Sequence, residues 1–117
     1  MYKKITDRKI RIAVVGCGRI SNNHFAAIET HSDDLELVTA CDVNDDVLES
    51  TSKKYNVPTY KHLDQMLAKE DLDLVSICTP SGVHPHQTAL AAKHGVHVMT
   101  EKPMATRWKD GVEMVKA

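Results

Sequence analysis

Apolar residues along the chain fall into short β-branched runs, separated by stretches where they recur every three or four positions. That alternation predicts strands and helices taken in turn. Ile10 to Val15 (IRIAVV) reads as a first strand, Ile20, His24, Phe25 and Ile28 as the buried side of a helix, and Leu35 to Cys41 (LELVTAC) as a second strand. A turn at Asp42 to Asn44 follows. The next helix is locally well specified: Asn44 can cap it, Asp45 and Asp46 suit the positive end of its dipole, Lys53 and Lys54 suit the other end, and Val47, Leu48, Thr51 and Tyr55 give it a buried side. Val57 to Tyr60 predicts a third strand, placed at a sheet edge because Pro58 lacks a backbone donor. Another helix runs through Leu63, Met66 and Leu67. Leu72 to Thr79 (LDLVSICT) is nearly continuous in apolar character after Asp73, as in a parallel strand covered on both faces, and Pro80 ends it. His84 then reads as the cap of a helix with Pro85 at its first position, closed by Gly95 after Lys93 and His94. Val96 to Thr100 is the fifth strand. Ala105, Trp108, Val112 and Val115 mark the buried stripe of a last helix, capped by Thr106.

Right-handed crossovers turn this alternation into an α/β architecture, a doubly wound parallel sheet in the order 3-2-1-4-5. No repeat, low-complexity tract or Gly/Ser linker interrupts it, so residues 9–117 read as one unit and residues 1–8 as a loose N-terminal segment. Such a sheet binds its ligand outside the carboxyl ends of the strands, where the order reverses between the first and the fourth. Those loops are the ones to search for chemistry.

Composition narrows the classes. The chain has 117 residues, long enough for one real core, and 15 Lys and Arg against 16 Asp and Glu give a net charge of −1. A nucleic-acid binder needs a strong basic excess on one face, which this balance does not supply. No apolar run approaches the ~20 residues of a spanning helix, and the start Met1-Tyr2-Lys3-Lys4 is followed by no apolar signal region, so the expectation is a cytoplasmic protein. Cys17, Cys41 and Cys78 form no CxxC pair and read as buried thiols in a reducing compartment. Among the 7 histidines only His84 and His86 are close, with a proline between and no third ligand nearby, so no metal is expected.

After the first strand comes Gly16-Cys17-Gly18-Arg19-Ile20-Ser21, a G-x-G-x-x-S loop opening a helix. By itself it is a tight turn. In this context Gly16 permits the turn, Gly18 lets backbone approach a pyrophosphate, and the N–H groups from Arg19 onward offer the positive helix end to that anion. Ser21 departs from the usual third Gly or Ala and adds a hydroxyl at the helix–strand contact. Asp42, 21 residues beyond Ser21, ends the second strand where a dinucleotide site needs an acid for the adenosine ribose. A carboxylate there repels a 2′-phosphate, and Val43 and Asn44 offer no cation, so NAD is expected over NADP. Thr79-Pro80-Ser81-Gly82-Val83-His84 follows the fourth strand and Glu101-Lys102-Pro103 the fifth, facing the same crevice. Read blandly, these are a polar loop with a helix cap and a pair of solvated charges.

Taken together, Gly16-Cys17-Gly18, Asp42, the Thr79-Pro80 loop with His84, and Gly95 through Pro103 (GVHVMTEKP) resemble the Gfo/Idh/MocA oxidoreductases over about residues 9–117. The resemblance implies a Rossmann NAD-binding domain followed by a larger, mostly β substrate domain. It implies that Gly16, Gly18, Arg19 and Ile20 line the pyrophosphate, that Asp42 takes the adenosine ribose, and that Thr79, Pro80, Ser81 and His84 border the middle and nicotinamide half. Glu101 would hold the nicotinamide ribose. Pro103 would follow a cis peptide that turns Lys102 toward substrate, and Lys102, beside the cofactor, would bind and polarise the sugar hydroxyl while hydride moves to NAD. Within the family, VGCGRISNNHF and MTEKPMATRWKDGVEMVKA look most like bacterial nucleotide-sugar 3-dehydrogenases of the WlbA/WbpB type, which oxidise C3 of UDP-N-acetylglucosaminuronate for surface polysaccharide (O-antigen, lipopolysaccharide) biosynthesis.

By the same resemblance the sixth strand and the substrate domain are missing from this chain, together with their acid/base residues and the surface that would make a homo-oligomer. The chain alone is then expected to be inactive in turnover, to expose apolar surface and to associate. Three other readings stay open: a methyltransferase, which also uses a glycine loop and an acid after its second strand; a non-catalytic NAD-binding module; and another sugar or inositol dehydrogenase of the same family.

Overall fold

The computed structural model describes residues 4–117. Five parallel strands, β1 (Ile10–Val15), β2 (Leu35–Cys41), β3 (Thr59–Tyr60), β4 (Leu74–Ile77) and β5 (His97–Thr100), form one sheet in the order β3-β2-β1-β4-β5. Helices α1 (Ser21–Thr30), α2 (Asp45–Tyr55), α3 (Leu63–Lys69), α4 (His84–Lys93) and α5 (Trp108–Lys116) connect and follow them, with a 3-10 turn at Ser81–Val83. The sheet order and helix sequence are those the apolar pattern predicts.

Alternation along β1 decides the layers. Ile12 and Val14 face one side with Phe25 and Ile28 of α1, and the Phe25 ring stacks on Tyr55 of α2 with centroids 4.2 Å apart. Ala13 and Val15 face the other side, against Met66 and Leu67 of α3 and Ala91 of α4. Both faces of β1 are therefore dry, which explains why its run carries no polar residue after Arg11. The register with β2 slips between Ile12 and Ala13, which pair with Leu37 and Thr39, so Val38 is the extra residue.

Local signals are met unevenly. Asn44 caps α2 by accepting from the Val47 amide at 3.1 Å, and Asn56 closes that helix in the left-handed conformation. The third strand is shorter than the pattern, because Pro58 lies just outside it; its carbonyl still accepts from the Thr39 hydroxyl at 2.7 Å. Gly95 follows α4 at φ +73°, a conformation that favours glycine.

Three expectations are overturned. His84 is not the cap of α4 but lies inside its first turn, with Val83 at the cap position. Thr106 does not cap α5, whose cap residue is Arg107. The stripe on α5 is rotated: Met114 is buried against the body of the domain, whereas Trp108 is 88% and Val115 78% exposed. Trp108, Val112 and Val115 instead flank, with Met104, an open apolar hollow of about 540 Å³.

Of the segment expected to be loose, Met1 to Lys3 lie outside the described residues. Arg8, at its other end, forks onto both carboxylate oxygens of Asp73 at 2.6 and 2.8 Å, and Asp73 also accepts from the Arg11 amide at 2.8 Å. These donors hold the Asp73 carboxyl down at about 2, the Arg8 hydrogen bond being the main cause. Among the described residues, no helix is long and apolar enough to cross a membrane, and no group of three or more His, Cys, Asp or Glu could hold a metal ion.

Candidate cofactor cleft

At the carboxyl ends of β1, β2 and β4 lies a cleft of about 470 Å³. Gly16, Gly18, Arg19, Ile20, Asp42, Thr79 and Pro80, seven of the residues singled out from the sequence, all line it. They come from three separate loops. The sheet brings them together because β1 lies between β2 and β4 and the chain leaves each strand at the same end.

The two glycines of the first loop differ in what they do. Gly16 has φ +87°, and a Cβ there would sit 2.8 Å from both the Thr79 Cγ2 and the Thr79 amide nitrogen. It is the point where two loops pass in contact. Around Gly18 a Cβ would meet nothing within 4 Å, so the space in front of that backbone is open for an approaching group. Ser21, in place of a third glycine, is buried and donates its hydroxyl to the Gly18 carbonyl at 2.5 Å. The departure from the usual pattern therefore ties the loop down rather than crowding it. The amides of Ser21, Asn22 and Asn23 bond back to Gly18, Arg19 and Ile20 at 3.1, 3.3 and 3.2 Å, winding a tight first turn that aims the positive end of α1 at the cleft.

Asp42 is held beside this loop. One carboxylate oxygen accepts from the Cys17 amide at 2.8 Å and the other from the Asn44 amide at 2.9 Å. Each oxygen keeps further acceptor capacity, so the group can still receive a pair of hydroxyls. Cys17, Cys41 and Cys78 are free thiols around the cleft, and burial pushes them up to about 11, 12 and 12. They stay neutral at ordinary pH, as apolar wall rather than as nucleophiles or metal ligands.

The remaining sequence-selected residues lie around the cleft rather than in its wall. Glu101 follows β5, its amide bonded to the Ile77 carbonyl at 3.0 Å, so it stands next to the tip of β4. Its carboxylate meets His24 of α1, with Nε2 to Oε1 at 2.5 Å, and that contact, with a smaller contribution from Lys102, lowers its carboxyl below the usual range. Lys102 is exposed and precedes a cis peptide at Pro103. Ser81 is half-buried in the 3-10 turn. His84 is 1% exposed, with Nε2 2.6 Å from the Thr79 carbonyl oxygen and Nδ1 3.1 Å from that of Pro103. Its ring therefore lies between two loops, with an N–H to donate to one of these carbonyls, and is not among the residues lining the cleft. Sequence reasoning missed Gln87, which accepts from the Thr79 hydroxyl at 2.5 Å, and Lys61, which lines the cleft beyond Asp42. Gln87 stands three positions after His84 on the same helix, a spacing that could have drawn attention to it.

Open space at Gly18, a helix end aimed into it and a fixed carboxylate at the end of β2 fit a dinucleotide, with pyrophosphate on the loop and ribose on Asp42. These features define a dinucleotide-binding domain. A family model described as "Oxidoreductase family, NAD-binding Rossmann fold" matches residues 10–117, and the chain belongs to that family, Gfo/Idh/MocA, as its NAD-binding Rossmann domain. It is similar to the WlbA dehydrogenase of Chromobacterium violaceum, solved in complex with NADH and UDP-GlcNAcA, at 52% identity and TM-score 0.96 over 99% of this chain and 34% of that one. The WlbA dehydrogenase of Bordetella pertussis, also solved with NADH and UDP-GlcNAcA, matches at 49% identity and TM-score 0.92 over 94% of this chain and 33% of that one. A D-glucoside 3-dehydrogenase of Escherichia coli is 32% identical over 97% of this chain and 33% of its own. The chain thus spans about a third of the length of these relatives.

Proposed function

We propose that this chain is the cofactor-binding part of an NAD-dependent dehydrogenase that oxidises a sugar hydroxyl, with C3 of UDP-N-acetylglucosaminuronate as the substrate position. The observation that carries the cofactor reading is the Asp42 carboxylate bonded to the Cys17 amide at 2.8 Å, which couples the ribose acid to the glycine loop in one cleft. Support for the substrate comes from the two WlbA dehydrogenases solved with UDP-GlcNAcA, at 52% and 49% identity against 32% for the glucoside dehydrogenase.

When bound, NAD supplies the hydride acceptor. The chain's own residues bind and orient. Backbone at Gly18 and Arg19 takes the pyrophosphate, and Asp42 takes the adenosine ribose while its charge disfavours a 2′-phosphate. Glu101 takes the second ribose. Lys102, carried on the loop after β5, donates a hydrogen bond to the oxygen of the reacting hydroxyl and so orients and polarises it. Ser81 borders the nicotinamide half. His84 acts behind the wall, holding the Thr79 and Pro103 loops in register.

Titration of the chain with NADH, NADPH and S-adenosylmethionine tests the cofactor reading. NADH is expected to bind more than about tenfold tighter than NADPH, the worth of one charged contact. S-adenosylmethionine is expected not to bind, since the family match closes the methyltransferase reading; equal affinity for NADH and NADPH would overturn the ribose role of Asp42. For the substrate, the readout is reduction of NAD on adding UDP-N-acetylglucosaminuronate to a protein in which this domain is joined to a substrate domain. Turnover of a glucoside or inositol in its place would redirect the assignment within the family.

A further inference from the structure

We infer that His24 is the positioning residue for Glu101, fixing the carboxylate that receives the nicotinamide-side ribose; the inference rests on the cofactor reading given above. Main-chain bonding places the Glu101 backbone beside β4, through its amide and the Ile77 carbonyl at 3.0 Å, but leaves a flexible side chain to be aimed. Among the described residues, the side chain that meets that carboxylate is His24, with Nε2 2.5 Å from Oε1, beside a weaker contribution from the Lys102 backbone.

The two partners are unequal. The His24 side chain is 11% exposed and held on a helix, while Glu101 is 31% exposed at a strand end. The stiff partner therefore orients the loose one. A neutral imidazole suffices, since Nε2–H can donate to Oε1 and leave Oε2 to accept from hydroxyls. His24 also stands three residues after Ser21, whose hydroxyl locks the glycine loop to the same helix. One face of α1 thus sets both the loop for the pyrophosphate and the carboxylate for the distal ribose. The link spans 77 residues of sequence.

A tie that merely holds α1 against β5 would show the same contact, so the test must separate the two ends of the cofactor. The whole chain is titrated with ADP, which lacks the nicotinamide riboside, and with NADH. Wild type, His24→Asn, His24→Gln and Glu101→Ala are compared. Gln places an amide N–H near the position of Nε2, and Asn is too short to do so. For His24→Asn the expected result is a loss of about 10-fold in NADH affinity with ADP changed less than about twofold, a loss shared by Glu101→Ala and recovered to within about threefold by His24→Gln. Equal loss for ADP and NADH in His24→Asn would overturn the inference in favour of a structural tie. So would equal NADH affinity in the Asn and Gln variants. Unchanged NADH affinity in Glu101→Ala would remove the ribose role of Glu101 and the inference with it, and a wild-type chain binding neither nucleotide would instead sink the cofactor reading itself.

Discussion

The cleft and the loops beside it are held by different means. In the cleft, where we propose the adenosine half, the ties end on main chain: the Asp42 carboxylate accepts two backbone amides, the Gly16 amide bonds to the Cys41 carbonyl at 2.7 Å, and the Ser21 hydroxyl closes onto the Gly18 carbonyl. Beside it, where we propose the nicotinamide half, imidazoles carried on helices do the holding: His24 reaches the Glu101 carboxylate, and His84 lies between the Thr79 and Pro103 carbonyls. The Gly16–Cys41 bond survives a change of side chain, whereas the Asp42, Ser21, His24 and His84 ties can each be removed by one. The loop of the first region should therefore keep its fold unless backbone conformation itself is at stake, with Asp42 acting on nucleotide affinity, and the second region should fail by loss of aim.

The largest expected effect is at the backbone crossing. Gly16→Ala puts a Cβ 2.8 Å from Thr79 at positive φ and should cost about 3 kcal/mol or more of stability in denaturant unfolding, whereas Gly18→Ala, with open space around it, should cost about 1 kcal/mol or less and act on nucleotide affinity instead. Equal destabilisation by the two would erase the distinction between them. Next comes α5: Met114→Ala should destabilise by about 2–3 kcal/mol, and Trp108→Ala, at a side chain 88% exposed, by less than about 0.5 kcal/mol. Asp42→Ala should weaken NADH by about 1.5–3 kcal/mol in calorimetry, and ADP by a similar amount because both carry the adenosine ribose; loss confined to NADH would place Asp42 at the wrong end.

A smaller effect than that of Asp42 lies away from the cleft. Asp73 titrates at about 2 in the fold against about 3.9 when unfolded, so its contribution is full above about pH 4 and disappears as pH falls through about 2. Asp73→Asn should cost about 1 kcal/mol at neutral pH, less in high salt, and should flatten that acid limb. An unchanged limb would show that the Arg8 fork contributes nothing.

What the sequence disclosed follows from what is local. Sheet order, the Asn44 cap and the glycine loop are written in runs of a few residues, and Asp42 could be found because its distance from the loop is set by one strand–helix–strand unit. The stripe on α5 was misread because periodicity gives the existence of an apolar side and not which residues are covered; Met114, not Trp108, faces the domain. His84 was misread because a residue before Pro85 resembles a cap, while its real partners are carbonyls at Thr79 and Pro103. Nothing in the spacing joins His24 to Glu101, since only the folded domain brings the end of β5 to α1.

The central claim is that the loops after β1, β2, β4 and β5 form one site. Amide spectra of the labelled chain recorded during an NADH titration test it most directly. Signals of Gly18, Asp42, Thr79 and Glu101 should move together on a single saturating isotherm, with Trp108 and Val115 unmoved. Shifts confined to the hollow along α5, or isotherms that differ between Asp42 and Glu101, would contradict it.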